Sequence, residues 1–174
     1  VIYPIQDITA PITSPFGYRT HPITGEKKLH NGIDIGIPTG TPIFAPADGK
    51  ITTHNETEAG GKQLIITHDN GYKTGYSHLD YRFVVDGQRV KQGQQIANSG
   101  ATGRVTGAHL HFTLKDPSGN MIDPQKYYFT QRVKKGNGAF VLAALTILVG
   151  IYAIYSTQEK GKKKRPAFIG ELLG

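Results

Sequence analysis

The stretch His109-Leu110-His111-Phe112 has chemistry that depends on its backbone. As a strand, its period of two puts His109 and His111 on one face and Leu110 and Phe112 on the other. Two imidazoles then look into a common space while two apolar side chains anchor the strand in a core. On its own such a pair is commonly two solvated histidines, so a metal site needs further ligands upstream. His30-Asn31-Gly32-Ile33-Asp34 offers them. In an extended chain, positions 30, 32 and 34 share a side, and Ile33, Ile35 and Ile37 bury on the other. Gly32 is expected to leave room between His30 and Asp34. One His, one Asp and a downstream His make three ligands with an open fourth position, the shape of a catalytic zinc site. Tyr76-Ser77-His78-Leu79 is a third candidate. As a regular strand it sets Tyr76 and His78 on one face and Ser77 and Leu79 on the other, and His78 taken alone reads as structural.

Composition narrows the chemistry. There is no cysteine, so disulfides and thiolate metal sites are excluded and any metal must be held by His, Asp or Glu. All seven histidines (21, 30, 54, 68, 78, 109 and 111) lie in the first 111 residues. The net charge of +7 resembles a nucleic-acid footprint, but it is unevenly placed. Residues 1–130 carry 12 Lys and Arg against 11 Asp and Glu, whereas residues 131–174 carry 8 against 2. The basicity belongs to the C-terminal stretch, and no nucleic-acid partner is expected.

The elements that must position these residues read as strands. Lys50–Thr53, Gln63–His68, Lys73–Ser77, Arg82–Val85 and His109–Leu114 are short, alternating or β-branched runs bounded by Gly, Pro, Asn and Asp. Asp48-Gly49, Asn70-Gly71 and Asp86-Gly87 are turn dipeptides, and Asn70-Gly71 between two such runs predicts a hairpin. No long amphipathic helix interrupts them, so residues 1–130 are expected to form a mainly β domain with an antiparallel sheet. Residues 131–138 turn abruptly basic and Gly-containing, a linker. Ala139 to Ser156 runs 18 residues without a charge. As a helix it spans about 27 Å, close to a bilayer's hydrocarbon core, with Tyr152 and Tyr155 near one end. A single transmembrane helix at 139–156 and a basic tail at 157–174 are expected. Lys160, Lys162, Lys163, Lys164 and Arg165 follow the span, against Arg132, Lys134 and Lys135 before it. The bias places the C-terminus inside and the β domain outside. No charged segment followed by an apolar one opens the sequence, so no signal peptide is read here. Export by a signal already removed, or entry through a membrane-containing virus particle, would reconcile the two readings.

Longer motifs then join the isolated ones. Ser14-Pro15-Phe16-Gly17-Tyr18-Arg19-Thr20-His21-Pro22-Ile23-Thr24-Gly25 precedes His30-x-Gly-x-Asp34. Gly40–Gly49, Tyr76-Ser77-His78-Leu79, Val90–Gln94, Gly100–Gly103, Thr106–Phe112 and Ile122-Asp123-Pro124 follow in order. Over about residues 12–128 the sequence resembles the M23 family of zinc metallopeptidases, the lysostaphin/LytM-type peptidoglycan endopeptidases. The resemblance implies an antiparallel LytM/lysostaphin-like (duplicated-hybrid-motif) sheet with a groove lined by loops. It implies one zinc per chain held by His30, Asp34 and His111, with His78 and His109 as catalytic histidines. The implied reaction is metal-assisted hydrolysis of peptide bonds in peptidoglycan stems or cross-bridges, with the histidines orienting or deprotonating water and stabilising the oxyanion. All five functional positions are filled, unlike in degenerate members. Thr113 departs from the carboxylate or amide common after His-x-His-Phe, which touches only a contact behind the ligands. Arg19 and His21 are candidates to line the groove.

Other readings of the same residues are weaker. Two His and one carboxylate also form the facial triad of non-heme iron oxygenases, but there the first His and the carboxylate are separated by one residue, and His78 and His109 would go unused. Ala45–Gly49 and Val90–Gly93 resemble parts of lipoyl or biotinyl carriers, yet no lysine stands in a carrier context. Gly100–Gly107 lacks the βαβ setting of a phosphate loop. The alternative kept is a non-catalytic or occluded wall-binding or structural membrane protein, a virion component included. The expected location is a single-pass membrane protein of the cell envelope or a virion membrane, its catalytic domain on the wall-facing side.

Overall fold

A computed structural model of the chain describes residues 2–20 and 25–128. The strands in chain order are β1 (Ile12–Ser14), β2 (Gly17–Thr20), β3 (Lys27–His30), β4 (Gly32–Ile35), β5 (Pro42–Phe44) and β6 (Gly49–Thr57). There follow β7 (Gly61–His68), β8 (Lys73–Arg82), β9 (Arg89–Val90), β10 (Gln95–Ser99), β11 (Leu110–Lys115) and β12 (Met121–Ile122). One sheet runs β1-β4-β11-β8-β7-β6-β9, with β12 on β11 and β10 joining β8 to β5; β2 and β3 form a separate hairpin. Every pairing is antiparallel, as for the hairpins β7–β8 and β6–β7. The expected transmembrane helix at 139–156, the linker at 131–138 and the tail at 157–174 lie outside the described residues, as does His21. Among the described residues no helix is long and apolar enough to cross a membrane.

The two faces of the sheet divide by the period of two. Ile33 and Ile35 of β4, Leu110 and Phe112 of β11, Tyr76 of β8, Leu64 and Ile66 of β7 and Ile51 of β6 are all essentially inaccessible. Ile43, Ala45, Val84, Val90 and Ile96, from the β5, β9 and β10 side, bury in the same cluster. Removing these branched side chains from water, each stabilising by about 1.5–3 kcal/mol when fully buried, fixes the register, because a slip of one residue would turn all of them to solvent. The Asn70-Gly71 hairpin forms as expected. Gly71 takes φ +84°, and the Asn70 side chain accepts a bond from the Tyr72 N–H. Asp48-Gly49 behaves differently from the expected turn. Gly49 is already in β6, and a Cβ there would stand 2.6 Å from the Thr67 carbonyl oxygen, so the glycine serves close strand approach. Residues 83–85, expected as part of a strand, lie beyond the end of β8.

β8 is the strand that breaks its own period. One edge stays on β7, while the other pairs with β11 over Lys73–Ser77 and with β10 over Leu79–Arg82. At the exchange, Tyr76 and Leu79 oppose Leu64 and Lys62, three steps against two. The extra residue is accommodated at His78, which has φ +62° and is the one non-glycine residue with positive φ among those described. Such a conformation costs a non-glycine residue roughly 1–3 kcal/mol and is held by its surroundings. The expected sharing of a face by Tyr76 and His78 is therefore corrected. Tyr76 and Leu79 both point into the core, at 1% and 0% exposure, and Ser77 and His78 line a groove on the other face.

Candidate metal centre and active-site groove

Three strands bring the ligand candidates to one point. β3 ends at His30, β4 carries Asp34, and β11 carries His111 directly across from Asp34 in register. His111 Nδ1 lies 2.7 Å and His30 Nε2 3.1 Å from Asp34 Oδ1, and the two nitrogens are 3.1 Å apart. These are the three side chains among the described residues whose ligand atoms gather within 4.8 Å of one another. Gly32 does not act as a spacer between the ligands, as the sequence reading had it. A Cβ at that position would strike the Phe112 carbonyl oxygen and the Thr113 side chain, so the glycine lets β4 approach β11. Thr113 fills the floor between two such glycines, since a Cβ at Gly75 on the far side would stand 2.5 Å from its hydroxyl.

The outer nitrogens decide which inner ones are free. His30 Nδ1 faces the Pro15 carbonyl at 2.8 Å, His78 Nδ1 the Thr102 carbonyl at 2.9 Å, and His109 Nδ1 the Gly107 carbonyl at 2.9 Å. A carbonyl only accepts, so each of these rings donates its N–H there and keeps an Nε2 lone pair. His111 is reversed. Its Nε2 meets the Asn31 side-chain oxygen at 3.2 Å and its Nδ1 turns inward. Two imidazole lone pairs and a carboxylate oxygen thus converge with no proton of their own to share, an arrangement that a cation completes. The types, number and hydrogen-bonded outer atoms fit a divalent ion such as zinc. Burial acts to raise the Asp34 carboxyl. A proton on a facing His111 or His30 nitrogen would donate to it, and those hydrogen bonds and charges outweigh burial. They hold the group far below the usual carboxylate range, the same demand for positive charge that a cation would meet.

His78 and His109 stand beside this cluster with ring centroids 4.6 Å apart, and His109 Nε2 is 3.9 Å from Asp34 Oδ1. Burial, with smaller contributions from the neighbouring histidines, lowers the His78 pKa and keeps the ring neutral near pH 7. All five site residues expected from the sequence come together in one groove of about 1020 Å³. Arg19 also lines it, donating to the Ser14 hydroxyl at 2.7 Å. His68 goes instead to the core, at 4% exposure. Thr102 was not singled out from the sequence, although it holds the region together. Its hydroxyl accepts from the Lys62 N–H and donates to the Leu79 carbonyl, while its own carbonyl holds His78. Pro15 and Gly107 act through backbone oxygens, which side-chain patterns do not reveal.

Comparison with known proteins agrees with this geometry. The model of "Peptidase family M23" matches residues 28–124, more than half of the chain. The peptidoglycan DD-endopeptidase ShyB of Vibrio cholerae is 47% identical over 113 residues, covering 64% of this chain and 26% of that protein. Among solved structures, a zinc-containing peptidase from Vibrio cholerae is 44% identical with a TM-score of 0.65, over 70% of this chain and 37% of that one. The catalytic domain of lysostaphin from Staphylococcus simulans is 31% identical with a TM-score of 0.60, over 68% and 92%. The chain spans about a quarter of the length of curated relatives such as ShyB. The fold is the mainly β, antiparallel LytM/lysostaphin-like one, and with the family model covering the strands that build the groove, this chain belongs to peptidase family M23.

Proposed function

We propose that this protein is a zinc-dependent endopeptidase that hydrolyses peptide bonds in peptidoglycan stems or cross-links. The observation that carries this reading is the convergence of His30 Nε2, His111 Nδ1 and Asp34 Oδ1 beside two further histidines in an open groove. The relatives named as peptidoglycan DD-endopeptidases support the choice of bond. In this reading His30, Asp34 and His111 hold one zinc ion per chain. A zinc ion there would supply Lewis acidity for the scissile carbonyl and for the attacking water. His78, neutral and with its Nε2 unprotonated, accepts the proton from water. His109, whose only free nitrogen is also Nε2, donates to the developing oxyanion when protonated. The Thr102 and Gly107 carbonyls keep both rings oriented, so no tautomer exchange precedes proton transfer.

We further assign residues 1–130 to the peptidase domain, 131–138 to a basic linker, 139–156 to a transmembrane helix and 157–174 to a basic tail. The support is the uncharged run and the charge asymmetry of the sequence. The peptidase domain would then face the cell wall from a cell-envelope or virion membrane, restricted to peptidoglycan near the bilayer.

The test is digestion of purified peptidoglycan with and without a chelator, followed by mass spectrometry of the fragments. Chelator-sensitive cleavage at a peptide bond is expected. Intact peptidoglycan in the presence of protein with bound zinc would overturn the enzymatic reading. For the anchor, the full chain is expected to float with vesicles and a chain ending at residue 130 to stay behind.

A further inference from the structure

The groove carries more charge than its chemistry at the metal centre needs. Arg19, Lys28, Lys73, Arg104 and Lys115 line it, and Asp34 is the one acid among the described lining residues. General basicity does not explain this, because residues 1–130 hold 12 basic and 11 acidic side chains. The floor cations are ordered. Lys115 of β11 is the cross-strand partner of Lys73 of β8, Lys73 pairs with Thr67 of β7, and Thr67 pairs with Lys50 of β6. Their sequence neighbours Leu114, Thr74 and Ile51 are buried at 2%, 1% and 0%, so the three lysines share the opposite face of the sheet, on which Lys73 and Lys115 line the groove and Lys50 lies beyond it.

Like charges directly opposite one another destabilise a sheet. None of these three lysines forms an ion pair with an acid among the described residues. Cations close by do: Arg89, across from Lys50, pairs with Asp69 at 2.8 Å, and Lys91 pairs with Asp48 at 2.9 Å. The uncompensated pair Lys73 and Lys115 therefore lies in the groove, with Lys50 next to it in the row. It sits at the end of β11 away from the metal centre, four residues beyond His111. At about 3.4 Å per residue that is roughly 14 Å, the reach of about four residues of extended peptide.

We propose that Lys73 and Lys115, with Lys50 beyond them, form a subsite for a free carboxylate of an acidic peptide lying along the groove. The proposal rests on the peptidase reading and names the chemistry of its substrate. Cross-linked stems carrying free carboxylates are the substrates, and neutral glycine bridges are disfavoured. The lysines act on binding, since they lie too far from the cleaved bond to touch reacting atoms.

The test uses the full, zinc-loaded chain and two synthetic cross-linked stem peptides, one with free carboxylates and one with those groups amidated. The wild type is expected to show a KM about fivefold lower for the free-carboxylate peptide, the scale of two exposed ion pairs, with kcat nearly the same. The Lys73→Gln/Lys115→Gln variant is expected to lose this preference while keeping kcat. Relief of the opposed charges should leave its thermal stability equal or higher. In parallel, binding of the free-carboxylate peptide to the chelator-treated chain is read by fluorescence anisotropy at low and high salt. Tighter binding that needs both lysines and weakens with salt supports the subsite even if neither peptide is cleaved, in which case the peptidase reading alone fails. Cleavage or binding that ignores amidation, or a preference the double variant retains, overturns the subsite and leaves the peptidase reading standing.

Discussion

Two polar clusters, one around His68 and one around His30 and His111, lie on opposite faces of the same sheet and reach balance in opposite ways. On the core face, the Tyr76 O–H donates to Thr74 Oγ1, the Thr74 O–H donates to His68 Nε2, and the His68 Nδ1–H donates to the Ala47 and Asp48 carbonyls. Each group uses its proton once and remains neutral. Burial raises the Tyr76 pKa far above its ordinary value and lowers that of His68, which reinforces neutrality. On the groove face, His30, Asp34 and His111 present inward atoms that are all acceptors, and the outward nitrogens of the two histidines are already occupied. The core chain closes on itself, whereas the groove cluster turns three acceptor atoms towards one point, an arrangement that a bound cation would complete. Residue type does not separate a structural histidine from a ligand. The direction of the protons around it does.

The largest effect that would break this comparison is at Asp34. Asp34→Ala is expected to reduce zinc from one per chain to none and to abolish peptidoglycan cleavage, read by metal analysis and fragment mass spectrometry. A variant that kept its zinc would show that the converging acceptors are not the ligands. Next comes His78→Ala, expected to lower kcat by about 10²- to 10⁴-fold while zinc content stays at one. Parallel loss of zinc would move His78 from proton transfer to coordination.

On the core face the effect shifts from activity to stability. Thr74→Val leaves both the Tyr76 hydroxyl and His68 Nε2 without their partner, and urea unfolding is expected to show a loss of about 2 kcal/mol. The specific activity of the folded protein should barely change, and a large fall in activity would contradict the separation of the two faces. The smallest effect is in pH dependence. The folded pKa of His68 lies below the ordinary 6.5, so below that pH the unfolded chain binds the extra proton first. The contribution of His68 is thus fully present above pH 6.5 and is lost as pH falls towards its lower folded value. His78 has the same sign, so the measurement is the difference between wild type and His68→Asn, both zinc-loaded. The variant should show a shallower loss of stability on acidification.

Particular residues show how far the sequence could be read. The alternation at 109–112 was legible, because Leu110 and Phe112 are apolar and the histidines between them are not, and the strand keeps that order. His30 and Asp34 were legible for the same reason, flanked by Ile33 and Ile35. His78 was placed on the wrong face. Nothing in Tyr-Ser-His-Leu marks a bulge, which arises where β8 exchanges β11 for β10 along one edge. Gly32 was legible as special, but its role was misassigned, since the crowding comes from a residue 80 positions away, Phe112. His68 and His111 were both candidates by type, and only packing sent one to the core.

By itself, the sequence determined the chemical set and the apolar alternation: two histidines and an aspartate suited to a metal, two more histidines, and β-branched runs that must bury one face of a sheet. Those are properties of residue type and short spacing. The tertiary structure decided which nitrogen of each ring faces inward, that His78 reaches the groove through a left-handed backbone, and that Lys73 and Lys115 stand opposed on its floor. Apart from the Gly107 carbonyl beside His109, each of these depends on an atom contributed by a distant part of the chain, and only the paired strands and the loops packed against them bring such atoms within reach.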